Sequence, residues 1–224
     1  MKKPLVSALA VIAVTLSLLT AAPSAAATSI TKSVCIDPGH GGSDTGTSNG
    51  TGPGQILEKD LNLRVAKLVG EQLKVIYGPA SVFYTRDPDG ATPDVTLSNT
   101  ERAKFCNSTG ATILVSVHHN GSSNHTVDYS QALYQKRVDI PLAKAIVAKV
   151  SLGLGTTNKG TTQFASGVLL KSDMPATISE GFFLTNDDEY ALLTNGSTPW
   201  RDSSRLQAEA QAIYSGIVEY FKTH

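Results

Sequence analysis

No run of basic residues appears anywhere in the 224-residue sequence, so nothing in it offers the electrostatic footprint of a nucleic-acid binder. No Gly-x-x-x-x-Gly-Lys-Ser/Thr occurs either. The glycines between residues 39 and 54 miss the dinucleotide spacing, which rejects phosphate cradling there. Cysteine is scarce: Cys35 and Cys106 are the only two, and neither belongs to a Cys-x-x-Cys pair, so both are poor metal-ligand candidates. A disulfide between them is permitted in an exported chain, and two buried free thiols are an equal alternative. After residue 27 no stretch approaches the roughly 20 apolar residues needed to span a bilayer.

What the N-terminus does hold is a short positive region, Met1-Lys2-Lys3, an apolar core over residues 5–19, and small residues from Pro23 to Ala27. That is the pattern of a secretory signal peptide cut after Ala27. A retained membrane anchor is the rival reading, and the shortness of the apolar run counts against it. Residues 28–224 then carry 17 basic and 19 acidic side chains, a net charge of −2 with neutral histidines. About 200 residues suit one α/β domain, residues 28–224, with a sizeable core, no obvious second module and no stable membrane insertion after cleavage. The expected location is outside the cytoplasm: secreted, in the periplasm or the cell wall.

Strands and helices alternate along this domain. A short apolar run ends at Asp37-Pro38-Gly39 and delivers His40 into a polar, glycine-rich loop. Leu61, Val65, Leu68, Val69 and Leu73 recur at helical spacing over residues 59–75. Residues 81–85 read as a strand, and Ser98 with Glu101 forms a capping-box pattern that opens a helix through Cys106. Residues 111–119 are the most strongly β stretch. Its alternation puts Leu114, Ser116 and His118 on one face and Val115, Val117 and His119 on the other. Ala132-Leu133-Tyr134 reads as a short edge strand. Asp139 is placed to cap the helix that follows. Residues 167–171 and 176–179 read as two further strands, the second running into Glu180, and an amphipathic helix from Leu206 to Phe221 closes the chain. The predicted architecture is α/β: one mixed, mostly parallel sheet covered by helices on both faces.

In such sheets functional groups gather beyond the carboxyl ends of the strands. His40, His118 and Glu180 stand at such ends, and Glu58 precedes the first helix. Two imidazoles and one carboxylate form a catalytic zinc set that leaves a position for water, and a further carboxylate can act as base. Spacing does not select these four. Strand alternation does not choose between His118 and His119, and Glu58 alone reads equally as a first-turn acid favoured by the helix dipole. Asp37 either orients a ligand or ends its strand.

The stretches Asp37-Pro38-Gly39-His40-Gly41-Gly42, Glu58-Lys59-Asp60-Leu61-Asn62-Leu63, Thr85-Arg86 with Glu101-Arg102, Ser116-Val117-His118-His119-Asn120, and residues 175–186 resemble the zinc-dependent N-acetylmuramoyl-L-alanine amidases. The resemblance runs from about Val34 to Phe221. It implies zinc held by His40, Glu58 and His118, with Glu180 as the catalytic glutamate. It also implies peptidoglycan as the partner and hydrolysis of the bond between the lactyl group of N-acetylmuramic acid and L-alanine by a zinc-activated water; apart from the resemblance, a monomer is expected. By the same resemblance His119 is packed or hydrogen-bonded on the opposite face. His125 and His224 lie in polar or terminal sequence and are expected to be exposed. Two other readings stay open on the residues alone. One is a zinc peptidase acting on stem peptides, the other a non-catalytic wall-binding protein.

Overall fold

The computed structural model describes Met1, residues 32–195 and residues 199–224. The signal peptide expected over residues 1–27 lies, apart from Met1, outside the described residues.

β1 (Val34–Pro38), β4 (Val82–Tyr84), β5 (Ile113–Asn120), β6 (Ser130–Tyr134), β7 (Asn158–Gln163) and β8 (Ala176–Phe183) make one sheet in the order β4-β1-β5-β8-β6-β7. The first four in that order run parallel. β6 is antiparallel to β8, and β7 is parallel to β6. The sheet is therefore mixed and mostly parallel, as its alternation with helices requires. A separate two-stranded ribbon of β2 (Ser48–Asn49) and β3 (Ile56–Leu57) orders the glycine-rich loop after His40.

α1 (Glu58–Tyr77) buries Leu61, Val65, Leu68, Val69 and Leu73, the stripe read from the sequence. With α3 (Ile140–Leu154) and α6 (Ser204–Thr223) it covers one face of the sheet, against Ile36, Val115, Val117 and Phe182. α2 (Asn99–Thr109) and α4 (Gly167–Leu170) cover the other, around Leu114, Val168, Leu169 and Ile178. α5 (Asp187–Thr194) follows β8. The alternation of β5 is as expected: Leu114 joins the α2 side, while Val115 and Val117 join the α1 side. Cys35 and Cys106 are fully buried on the α2 side and joined by a disulfide across a separation of 71 residues, so the bond ties β1 to α2.

Three local readings are corrected. Residues 167–171 are not a strand; they hold the single turn α4, whose Val168 and Leu169 fill the α2-side core. The strand containing Ala132-Leu133-Tyr134 is not at the edge, because the polar β7 pairs outside it. Asp139 stands at the α3 N-cap without capping it. Its carboxylate accepts instead from Lys136 N, Gln135 N and Ala176 N, which ties the start of β8 to this turn.

Two features of the sheet place the functional end of the molecule. His118 of β5 pairs in register with Glu180 of β8, so the two side chains are neighbours on the same face. Beyond that pair β8 carries one extra residue, since Asn120 pairs with Phe183. This bulge turns two successive residues to the α6 side: Gly181 lies against Glu209, and Phe182 enters the core shared with α1 and α6.

Candidate metal centre

The loop that follows β1 turns sharply. His40 has φ 59°, among the described residues the one non-glycine with positive φ, and Gly41 and Gly42 follow with φ 138° and 58°. Held this way, a side chain costs of order 1 kcal/mol or more, so the surroundings must enforce it. Two buried guanidiniums do so. Arg102 of α2 donates to His40 O, Pro38 O (2.9 Å) and Asp37 Oδ1 (2.8 Å). Arg86 donates to Gly39 O (3.0 Å), Lys59 O (3.2 Å) and Asp94 Oδ1 (2.9 Å). Asp37 thus touches no imidazole. It accepts from Arg102, Thr85 and Ser116, and so holds the guanidinium that holds the loop. Burial pushes the Asp37 carboxyl up, but the Arg102 charge and the three hydrogen bonds outweigh it and leave the carboxyl below its ordinary value.

The loop, the start of α1 and the end of β5 bring His40, Glu58 and His118 together, with one potential ligand atom from each lying within 4.8 Å of the others. Glu58 Oε1 sits 3.1 Å from His40 Nε2 and 3.1 Å from His118 Nδ1. The same oxygen accepts from His119 N at 3.1 Å and Asn62 Nδ2 at 3.3 Å, and Oε2 accepts from Thr47 N at 2.9 Å. Burial opposes ionisation of Glu58, yet His118 and His40 hold its carboxyl far below the usual range. His40 Nδ1 is 2.9 Å from both oxygens of Asp44, which fixes the tautomer that leaves Nε2 facing Glu58. Burial works against protonating His40, but Glu58 and Asp44 raise its pKa above the ordinary value, so a metal must compete with a proton there.

Two glycines make room for this cluster. A Cβ on Gly39 would lie 2.1 Å from His118 Nε2, and one on Gly46 would lie 2.4 Å from Glu58 Oε2. The donor chemistry, two imidazole nitrogens and one carboxylate oxygen, fits a divalent transition metal with an open coordination position.

Glu180 stands beside the set, and its Oε2 is buried without a hydrogen-bond partner. Burial raises its carboxyl to about 7. Grooves leave the cluster on two sides. One, of about 450 Å³, is polar and lined by Thr47, Asn120, Ser122 and Thr185. The other, of about 540 Å³, has Leu133, Val168 and Ile178 among its lining residues and an exposed Phe164 at its rim.

All four residues singled out in the sequence are therefore neighbours. His119 points away, to a buried pairing on the α6 side. His125 is exposed beside Asp187, and His224 is exposed at the C-terminus. Asp44, Thr47 and Asn62 were not anticipated. Asp44 had a readable signal, an acid four residues after a histidine in a turn-rich loop. The other two act through contacts that no sequence pattern announces.

Residues 34–219 match the family described as N-acetylmuramoyl-L-alanine amidase, Amidase_3. The chain is 31% identical over 202 residues to the N-acetylmuramoyl-L-alanine amidase LytC of Bacillus subtilis strain 168. That match covers 85% of this chain and 36% of LytC, so the chain spans about a third of that relative's length. Among solved structures, the N-acetylmuramoyl-L-alanine amidase of Clostridium difficile 630 superposes with a TM-score of 0.73 at 29% identity, covering 87% of this chain and 99% of that one. The catalytic domain of CwlV, an amidase of Bacillus (Paenibacillus) polymyxa var. colistinus, gives 0.73 at 28% identity, covering 86% and 99%. With its sheet order, its strand-end cluster and these matches together, the chain belongs to the N-acetylmuramoyl-L-alanine amidase family.

Proposed function

We propose that this chain hydrolyses the amide bond between the lactyl group of N-acetylmuramic acid and L-alanine in peptidoglycan. In this reading zinc is held by His40, Glu58 and His118, and Glu180 is the catalytic base. The observation that carries it is the His40–Glu58–His118 cluster standing beside a buried, unpartnered carboxylate oxygen of Glu180. Zinc bound there supplies Lewis acidity and makes water acidic enough to attack near neutral pH.

The chain's own groups do the rest. Glu180 takes the proton of the attacking water and passes it to the alanine amine, which leaves poorly unless protonated. Burial disfavours the carboxylate form of Glu180, which helps it hold the proton between the two steps. Asp44 holds His40, and Thr47 N with Asn62 holds Glu58, so the metal-facing atoms are oriented before substrate arrives. The two grooves give the glycan strand and the stem peptide separate paths away from the scissile bond. Residues 1–27 would direct the chain out of the cytoplasm, where it works as a monomer on the wall. Among the described residues no helix is long and apolar enough to cross a membrane.

Mass spectrometry of purified peptidoglycan fragments digested with and without a chelator tests this. Release of free lactyl ends, abolished by chelator and restored by zinc, is expected. Cleavage between two amino acids instead would assign a peptidase, and unchanged fragments would leave a binding protein.

A further inference from the structure

Three buried polar side chains lie on the α6 side of the sheet: Asn62, which holds Glu58, and behind it His119 and Glu209, whose side chains the chemistry above does not use. Asn62 Nδ2 donates to Glu58 Oε1 and to Gly39 O, each at 3.3 Å. Those two acceptors fix the amide, so its Oδ1 faces His119 Nδ1 at 2.7 Å and Nδ1 must donate. His119 Nε2 then meets Glu209 Oε2 at 2.9 Å, with a proton between them. The remaining oxygen of Glu209 has no hydrogen-bond partner and lies 2.1 Å from where a Cβ on Gly181 would stand.

Each member adjoins a functional residue. Asn62 bonds Glu58 directly, and the N–H of His119 donates to the same oxygen at 3.1 Å. His119 follows His118, and Glu209 is seated under the residue after Glu180. Stability gives no reason for such an arrangement, because replacing buried charged groups with apolar ones of similar volume is often neutral or stabilising. Orientation does give a reason. The terminal torsion of a glutamate is broad, so Glu58 needs outside contacts to keep Oε1 on the imidazoles.

We infer that Asn62, His119 and Glu209 form a positioning chain, anchored in the closing helix, that fixes the Glu58 carboxylate toward His40 and His118. The inference rests on the metal reading above. Glu209 is then a positioning residue that acts on the centre from the far side of the sheet.

Zinc affinity of the full chain, measured by competition with a chromophoric chelator, tests it. Glu209→Met keeps an unbranched side chain and removes the hydrogen bond. Glu209→Gln keeps a donor for His119 Nε2. Glu209→Met should weaken zinc several-fold to about 10-fold, at or below the low end of the range seen when a direct partner of a metal ligand is lost, because Glu209 acts through His119 and Asn62. Glu209→Gln should stay near the wild-type value. A folded Glu209→Met that holds zinc as tightly as wild type overturns the inference, whatever its melting temperature. If that variant does not fold, Asn62→Ser breaks the chain without touching α6 and decides the matter by the same comparison. A wild-type chain that binds no zinc would instead remove the metal reading itself, and this inference with it.

Discussion

On the proposed function, Glu180 is a single carboxyl that trades stability for reactivity. Its folded value, about 7, stands above the ordinary 4.5 because burial disfavours the ion. The unfolded chain therefore releases this proton first as pH rises. The metal-free protein keeps this contribution in full below 4.5 and loses it as pH climbs through about 7, at a cost of up to roughly 3 kcal/mol. Glu180→Gln should accordingly melt higher than wild type at pH 8 and equally at pH 4. It should still bind zinc while losing about 10²- to 10⁴-fold in turnover. A variant that retains full activity would remove Glu180 as the base. Asp37 carries the opposite sign. Its lowered carboxyl contributes stability above about 3.8 that is lost only as pH falls below that, through its folded value. Replacing it as Asp37→Asn leaves the Arg102 guanidinium buried without a counter-charge and should cost about 3–5 kcal/mol in urea unfolding at pH 7. An unchanged midpoint would mean Arg102 finds another partner.

At the scale of elements, the disulfide joins the strand that leads to His40 with the helix that carries Arg102. Closing a loop of 71 residues restricts the unfolded chain by about 2–4 kcal/mol. A Cys35→Ala/Cys106→Ala double variant should therefore melt about 5–15 °C lower by calorimetry. An equal melting temperature would show that the unfolded chain gains nothing from being opened. The elements also show where sequence reading stops. α1 was legible because its five apolar positions keep a 3.6-residue period and all are buried. The turn at Gly167-Val168-Leu169-Leu170 was misread as strand because a short apolar run carries no period to separate the two. β7, Asn158-Lys159-Gly160-Thr161-Thr162-Gln163, went unseen because it is polar on both faces and pairs on one side only. At the site, His40, Glu58, His118 and Glu180 were found through motif resemblance. Asn62 and Glu209 were not, since their partner His119 lies 57 and 90 residues away.

The whole molecule works because one end of one sheet collects what four distant segments supply. Parallel strands bring Asp37 opposite Ser116 and His118 opposite Glu180, and the helices behind them set Glu58 at the same edge. Such an assembly depends on counting as much as on chemistry. β8 is one residue longer than an even ladder with β5 would allow, and the surplus falls directly after Glu180. Deleting Gly181 would make the strand more regular and the protein worse. Phe182 would move to the place now kept open above Glu209, while Phe183 would keep its pairing with Asn120 and the side chains beyond it their present faces. Evenness here is a defect: a tidier sheet would press an aromatic ring onto a buried carboxylate for which the glycine now leaves room.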